Sequence, residues 1–304
     1  MIPDTKWKSV PKVKTYDPRG VLVHTFESVG AAVDNALLGP QSGTPTQTYG
    51  PGVGYASHDE RGTYSWDFGT DWNETVRLAR EGWPEGRENV EALAATIRES
   101  IANTSMGSFE RAQVLSSVAG SMVNVPAFIA GVPEAMFTWE PVEIDSPIVH
   151  VVIESSTSAV ISAEFYSTRG SAVCALIDLL ESSGRRCEVT LVDSIWADGV
   201  YCADIRTTLK RPGDPLLIDS LAMAIAHPAY FRRIGFAHIE DLPNGMARKV
   251  THSAYGQPTG TRFDRGDVYI PVMHIGDREW ANQLGARAWV MNRLRECGVE
   301  IEGA

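Results

Sequence analysis

The stretch VHVVIESSTSAVISAEF, residues 149–165, opens as an apolar run and breaks at Glu154 into four hydroxyl residues, Ser155, Ser156, Thr157 and Ser158. IVHVVI, 148–153, is nearly continuous in β-branched residues, the pattern of a strand buried on both faces of a parallel sheet. After the hydroxyl run, residues 162–184 place Val173, Leu176, Ile177 and Leu180 on one side of a helix, with Gly184 as its stop. Glu154 and its hydroxyls therefore fall where a strand hands over to a helix. In an open α/β sheet that is the crevice past the carboxyl ends of the strands, where helix N-termini also turn their free backbone donors.

Downstream the same rhythm continues. CEVTLVDSIW reads as the next strand, and VYCADIRTTLK, after the turn residues Asp198 and Gly199, as its antiparallel partner at the sheet edge. GDPLLIDSLAMAIAHP reads as a helix with Asp214 as N-cap and Pro215 at its first position. AYFRRIG adds a turn of helix before FAHIEDLP, read as a strand holding His238. GDVYIPVMHIG is a strand, DREWANQLGARAWVMNRLRECG a long helix and VEIE a closing strand. Strands alternating with helices at this spacing predict a doubly wound, mostly parallel α/β sheet with helices on both faces, over residues 146–304.

Residues 1–145 lack that rhythm. A basic start, with Lys6, Lys8, Lys12, Lys14 and Arg19 broken by three prolines, predicts an extended arm. Residues 39–72 have the Gly, Pro, Ser and Thr density of a long loop, with one short strand near Tyr64. One helix is predicted from Asn73 as N-cap. A second, near Arg87, carries the stripe Val90, Leu93, Ile97, Ile101. Short apolar runs between glycines and prolines over 114–152 predict a small irregular module, partly β.

At 304 residues a division into two regions, 1–145 and 146–304, is expected. The absence of an apolar run of bilayer length, and of an apolar stretch near the start, leads to the expectation of a soluble, cytoplasmic protein with no membrane partner. A net charge of −11 argues against nucleic acid as a partner, because phosphate binding needs a concentrated positive surface. The four cysteines form no CxxC pair, and none has a histidine at zinc spacing, so buried, reduced thiols are expected.

The spacing Glu154-x-Ser156-x-Ser158 offers a carboxylate and two hydroxyls that a tight loop can turn toward one point. Hard oxygen donors of this kind suit Mg²⁺. Here residues 146–304 resemble a von Willebrand factor A-type domain, whose members carry Asp-x-Ser-x-Ser after the first strand as most of a metal-ion-dependent adhesion site. A Thr from a second loop and an Asp after the fourth strand complete that site. The resemblance implies Mg²⁺ held by Glu154, Ser156, Ser158 and Asp241, with Asp214 of the second loop, KRPGDPLLID, beside the binding crevice. The chain departs from the family in having Glu for Asp at 154 and no Thr in that loop. The plainer reading of Ser155 to Ser158 is that they bond loop backbone and cap the next helix.

The whole chain also resembles a group of uncharacterised bacteriophage and prophage proteins, on FESVGAAV at 26, DWNETVRLAREGWPEG at 71, VPAFIAGVPEAMF at 125 and RRIGFAHIED at 232. Together these imply a non-enzymatic, phage-type binding protein whose crevice engages a protein partner, in the bacterial cytoplasm or the virion. One alternative is a structural or assembly component of a virion that contacts its own subunits. A second is an Mg²⁺-dependent hydrolase or nuclease using Glu154, Asp241 and Asp193 as a carboxylate cluster.

Overall fold

The computed structural model describes residues 22–38, 67–101, 112–120, 122–141, 147–158, 160–197, 200–242, 246–252, 255, 257–274 and 276–299. The basic arm, the long loop with its strand near Tyr64, and the closing strand after Val299 lie outside them. The elements run in the order β1 (Leu22–Phe26), α1 (Val29–Leu37), α2 (Trp72–Glu81), α3 (Pro84–Ile101), β2 (Ala112–Ser117), β3 (Met122–Val123), α4 (Val125–Ile129) and β4 (Met136–Pro141). Then come β5 (Ile148–Glu154), α5 (Ala163–Ser182), β6 (Arg186–Ala197), β7 (Val200–Lys210) and α6 (Ile218–Ala226). A π-helical turn (Tyr230–Gly235) runs straight into α7 (Phe236–Glu240), followed by α8 (Met246–His252), β8 (Gln257–Pro258), β9 (Val268–Ile270), a 3₁₀ turn (Arg278–Trp280) and α9 (Gln283–Glu296).

The protein is α/β, with a mostly parallel sheet flanked by helices. Its strand order is β1-β7-β6-β5-β9; β6 and β7 are antiparallel, and β8 adds to β6. Strand residues in the two core clusters, among them Val149, Val151, Ile153, Leu191, Ile195, Ile205 and Ile270, share one face. That face meets α5, the most deeply buried helix. Ser162 caps it by accepting from Phe165 N, and Gly184, at φ +83°, follows its end. α6 crosses α5 where Gly170 faces Ala226: a Cβ at 170 would lie 2.2 Å from Ala226 Cα, so only glycine permits this approach. The other face begins polar. His150 is exposed on β5 while Val151 is buried, so this strand is buried on both sides only in its second half.

The expected boundary at 145/146 does not divide the core. β1 pairs in parallel with β7, Leu22 opposite Ala203 and Phe26 opposite Thr207. Trp72, Leu78, Val90 and Ile97 of α2 and α3 join the cluster built on α5. Asp71, not Asn73, caps α2, accepting from Glu74 N at 2.8 Å. Residues 112–141 do form the small partly β module, a separate antiparallel sheet of order β2-β4-β3.

Three other local expectations change. FAHIE is helix α7 and not a strand, because it continues the π-turn without a break; His238 therefore sits on a helix, bonded through Nε2 to Ala32 O. Asp214 does not cap α6, whose N-cap is Leu217. Its carboxylate instead accepts from Arg211 N and closes the turn after β7. The last helix starts at Gln283 with Asn282 as cap, after a separate 3₁₀ turn.

Candidate functional site

β5 ends at Glu154, paired with Val192, while β6 runs on to Ala197. Ser155 keeps the register for one more residue, N–H to Val192 O, before the chain leaves the ladder. β8 then takes up the vacated edge of β6, Pro258 opposite Ile195 and Gln257 opposite Trp196. In the step between β5 and β8 lies a cleft of about 260 Å³. Ser156, Thr157, Ser158 and Asp193 line it, together with Phe231, Arg232, Phe236 and Tyr255.

The hydroxyl loop does not behave as a cap. Ser162 has that role, while Ser155 Oγ, Ser156 Oγ and Thr157 Oγ1 are buried without a hydrogen-bond partner. Ser156 and Thr157 keep 7% and 6% of their surface, and Asp193, 6% exposed, has Oδ1 equally unpartnered. Buried polar atoms are nearly always bonded, so three such groups around one cleft need an explanation. Burial, and then the nearby Glu154 and Asp204, push the Asp193 carboxyl well above the usual carboxylate range.

Glu154 faces the other way. On the polar face of the sheet its Oε1 accepts from Thr261 N (2.6 Å), Tyr269 Oη (3.0 Å) and Ser194 Oγ (3.1 Å). Ser194 also reaches Asp204 Oδ1 at 2.8 Å, and the Thr261 hydroxyl donates to Asp204 Oδ2. Arg206 closes the network on Thr261 Oγ1 and Asp264 O. The segment 259–267 is thus strapped across the sheet by two buried carboxylates. Burial raises Glu154 to about 7, against the lowering by the Thr261 N–H; the Asp204 charge adds to the rise. Behind both groups Arg169, buried in α5, donates to Glu154 O (3.0 Å) and Pro271 O (2.7 Å), pinning the carboxyl ends of β5 and β9 together.

Of the residues singled out in the sequence, Ser156 and Ser158 line the cleft. Glu154 is not among the lining residues, its Oε1 being taken up by three donors. Asp241, the C-cap of α7, does not line it either. Asp214 follows β7, which runs antiparallel, and so lies at the opposite end of the sheet. Of the four residues expected to ligate Mg²⁺, Ser156 and Ser158 line the cleft and Glu154 and Asp241 do not. Among the described residues no group of three or more His, Cys, Asp or Glu is placed to hold a metal ion. The carboxyl that does line the cleft is Asp193, which is not one of those four, and the other oxygens beside it are neutral hydroxyls, so no step is derived through an ion.

Thr157 and Arg232 were missed as cleft residues by sequence reasoning, which named Asp193 only for the hydrolase alternative. Arg232 enters through the π-turn, whose extra residue per turn rotates side chains away from α-helical register. Its neighbour Arg233 anchors the turn, paired with buried Asp67 at 3.1 Å and bonded to Thr70 O. Gly235 lets the turn cross Asp193, since a Cβ there would lie 3.3 Å from Asp193 Oδ2.

A family model described as "Domain of unknown function (DUF7192)" matches residues 9–301. The chain belongs to this family. No curated protein and no solved structure matches it. The match spans the strap, the cleft and the small sheet alike, so the family covers the whole arrangement. Among the described residues no helix is long and apolar enough to cross a membrane.

Proposed function

We propose that the protein is a non-enzymatic binding protein and that the cleft above β5 and β6 receives a polar group of a protein partner. One observation carries this reading: the oxygens of Ser156, Thr157 and Asp193 are more than nine-tenths buried, unpartnered and gathered on one cleft. Such groups cost free energy unless something bonds them. Val160, two residues beyond Ser158, is an exposed apolar residue beside the mouth, suited to a protein surface. The order strand, helix, strand, antiparallel strand, helix, then a strand back beside the first supports a von Willebrand factor A-like frame.

The test is a panel of small probes, namely acetate, inorganic phosphate, methylguanidinium and Mg²⁺, titrated separately into isotope-labelled protein. Saturable shifts at the amides of 155–158, 193 and 231–236 with any one of them support the reading. A panel that leaves these amides unmoved sinks it.

A second reading, an assembly component of a phage particle, is favoured by a different observation. On the small sheet Phe128 and Ile129 of α4 are 68% and 79% exposed, with Val118, Val125 and Val132 exposed nearby. Exposed large apolar side chains of this kind suit a subunit contact. Light scattering decides: a higher-order species that Phe128→Asp dissociates supports assembly, and a monomer at micromolar concentration counts against it.

A further inference from the structure

We infer that the group entering the cleft is an oxyanion, a carboxylate or a phosphate of the partner, and that the Arg232 guanidinium supplies the positive charge for which a metal ion was expected. This rests on the cleft being the binding site and specifies its chemistry.

Among the described residues lining the cleft, Arg232 is the one cation. Its guanidinium carbon lies 5.0 Å from the centre of the Phe236 ring, and that ring stacks on Tyr255 at 4.2 Å and 9°. A guanidinium over an aromatic platform is restrained by that contact. Because Arg233 ties the π-turn to Asp67 and Thr70, the backbone that carries Arg232 is fixed before any ligand arrives.

The same cleft holds hydroxyls that can donate. Ser156 and Thr157 have no other use for their protons, and Ser158 lines the same side. Asp193 is the one acidic group among the lining residues, and it opposes an anion only while ionised. Its burial next to Glu154 and Asp204 favours the neutral acid, itself a donor. A guanidinium facing hydroxyl donors is complementary to an oxyanion. A cationic ligand would have to sit beside Arg232 with no carboxylate kept ionised to receive it. The cleft, about 260 Å³, is smaller than the roughly 300–1,000 Å³ usual for small-molecule sites, so it suits the head of a single side chain.

The experiment titrates acetate and inorganic phosphate separately into labelled full-length protein, each with EDTA and again with added Mg²⁺. The expected result is a saturable shift at 155–158 and 231–236 with at least one anion, unaffected by EDTA. A response to acetate alone assigns a carboxylate, and one to phosphate alone a phosphoryl group. Arg232→Gln should weaken binding by about tenfold or more, as expected when a charged hydrogen bond is lost. Arg232→Lys should recover part of that loss, because it restores the charge without the fork. Should Arg232→Gln not fold, Ser156→Ala combined with Thr157→Val takes its place, with about fivefold or greater weakening expected on the loss of two neutral hydrogen bonds. Unchanged affinity in the variant that folds, or anion binding that appears only with Mg²⁺, overturns the inference. A response to methylguanidinium or Mg²⁺ without any to the anions also overturns it, while leaving the cleft a binding site.

Discussion

The carboxyl end of the central sheet carries two buried acids on opposite faces, and their surroundings differ in kind. On the polar face Glu154 receives a backbone N–H and two hydroxyls on Oε1, leaving Oε2 without a partner, and shares Ser194 and Thr261 with Asp204. On the helix-covered face Asp193 stands beside hydroxyls that do not bond it, with Oδ1 unpartnered. A buried carboxyl answered by donors holds a structure together, and one left unanswered weakens it unless a ligand answers instead. Burial alone does not separate these roles, since both residues are almost wholly enclosed. The hydrogen-bond inventory does.

The sharpest way to break this contrast is to delete each acid. Glu154→Ala strands the Thr261 amide and the Tyr269 hydroxyl, and is expected to cost about 3–5 kcal/mol in urea unfolding, with faster hydrogen exchange along 259–267. Asp193→Ala should cost less than about 1 kcal/mol, because it removes an unsatisfied group along with its few contacts. Equal losses would erase the distinction.

Next in size is the dependence on pH. Glu154 titrates at about 7 in the folded protein, above the ordinary carboxylate value, so between pH 4.5 and 7 the native state holds a proton that the unfolded chain releases. Stability from this group is full below pH 4.5 and is lost as pH rises to 7, by roughly 3 kcal/mol in all at about 1.4 kcal/mol per pH unit. His24 and His227 act in the opposite direction. Burial lowers both to about 4, so their contribution is present above the ordinary histidine value and is lost as pH falls toward 4. The difference between wild type and Glu154→Gln across pH 4–8 isolates the glutamate. A difference independent of pH would mean that folding leaves the Glu154 pKa unshifted.

Smaller effects follow at the strap and the cleft. Thr261→Val removes the hydroxyl shared by Asp204, Arg206 and Phe263 N and should cost about 2 kcal/mol, leaving the cleft amides unshifted. Ser156→Ala removes a hydroxyl that bonds nothing and should change stability by about 0.5 kcal/mol or less. A clear loss at Ser156 would place that hydroxyl among the structural groups.

Much of the fold was legible because its strongest elements are strongly periodic. The apolar run before Glu154, the stripe of α5 and the turn between β6 and β7 each declare themselves within a dozen residues. FAHIE did not, since a short apolar run fits a strand or a helix and only the preceding π-turn decides. The pairing of β1 with β7 has no local signature at all. At the site, Ser156 and Ser158 were readable from position, as strand-end residues of an α/β sheet. Glu154 was located correctly but its direction was not, because the strap that claims it returns from residues 257–267. Arg232 lay in an arginine pair whose two members point to different duties, a split produced by a π-turn that leaves no mark in composition.

The register of β1 also bears on how the chain is made. Residues 22–26 are made well before 203–207, the edge on which they pair, and helices α2 and α3 must find α5 across a shorter span. β1 therefore docks only after β7 has been made, and until then it is an unpaired, largely apolar segment.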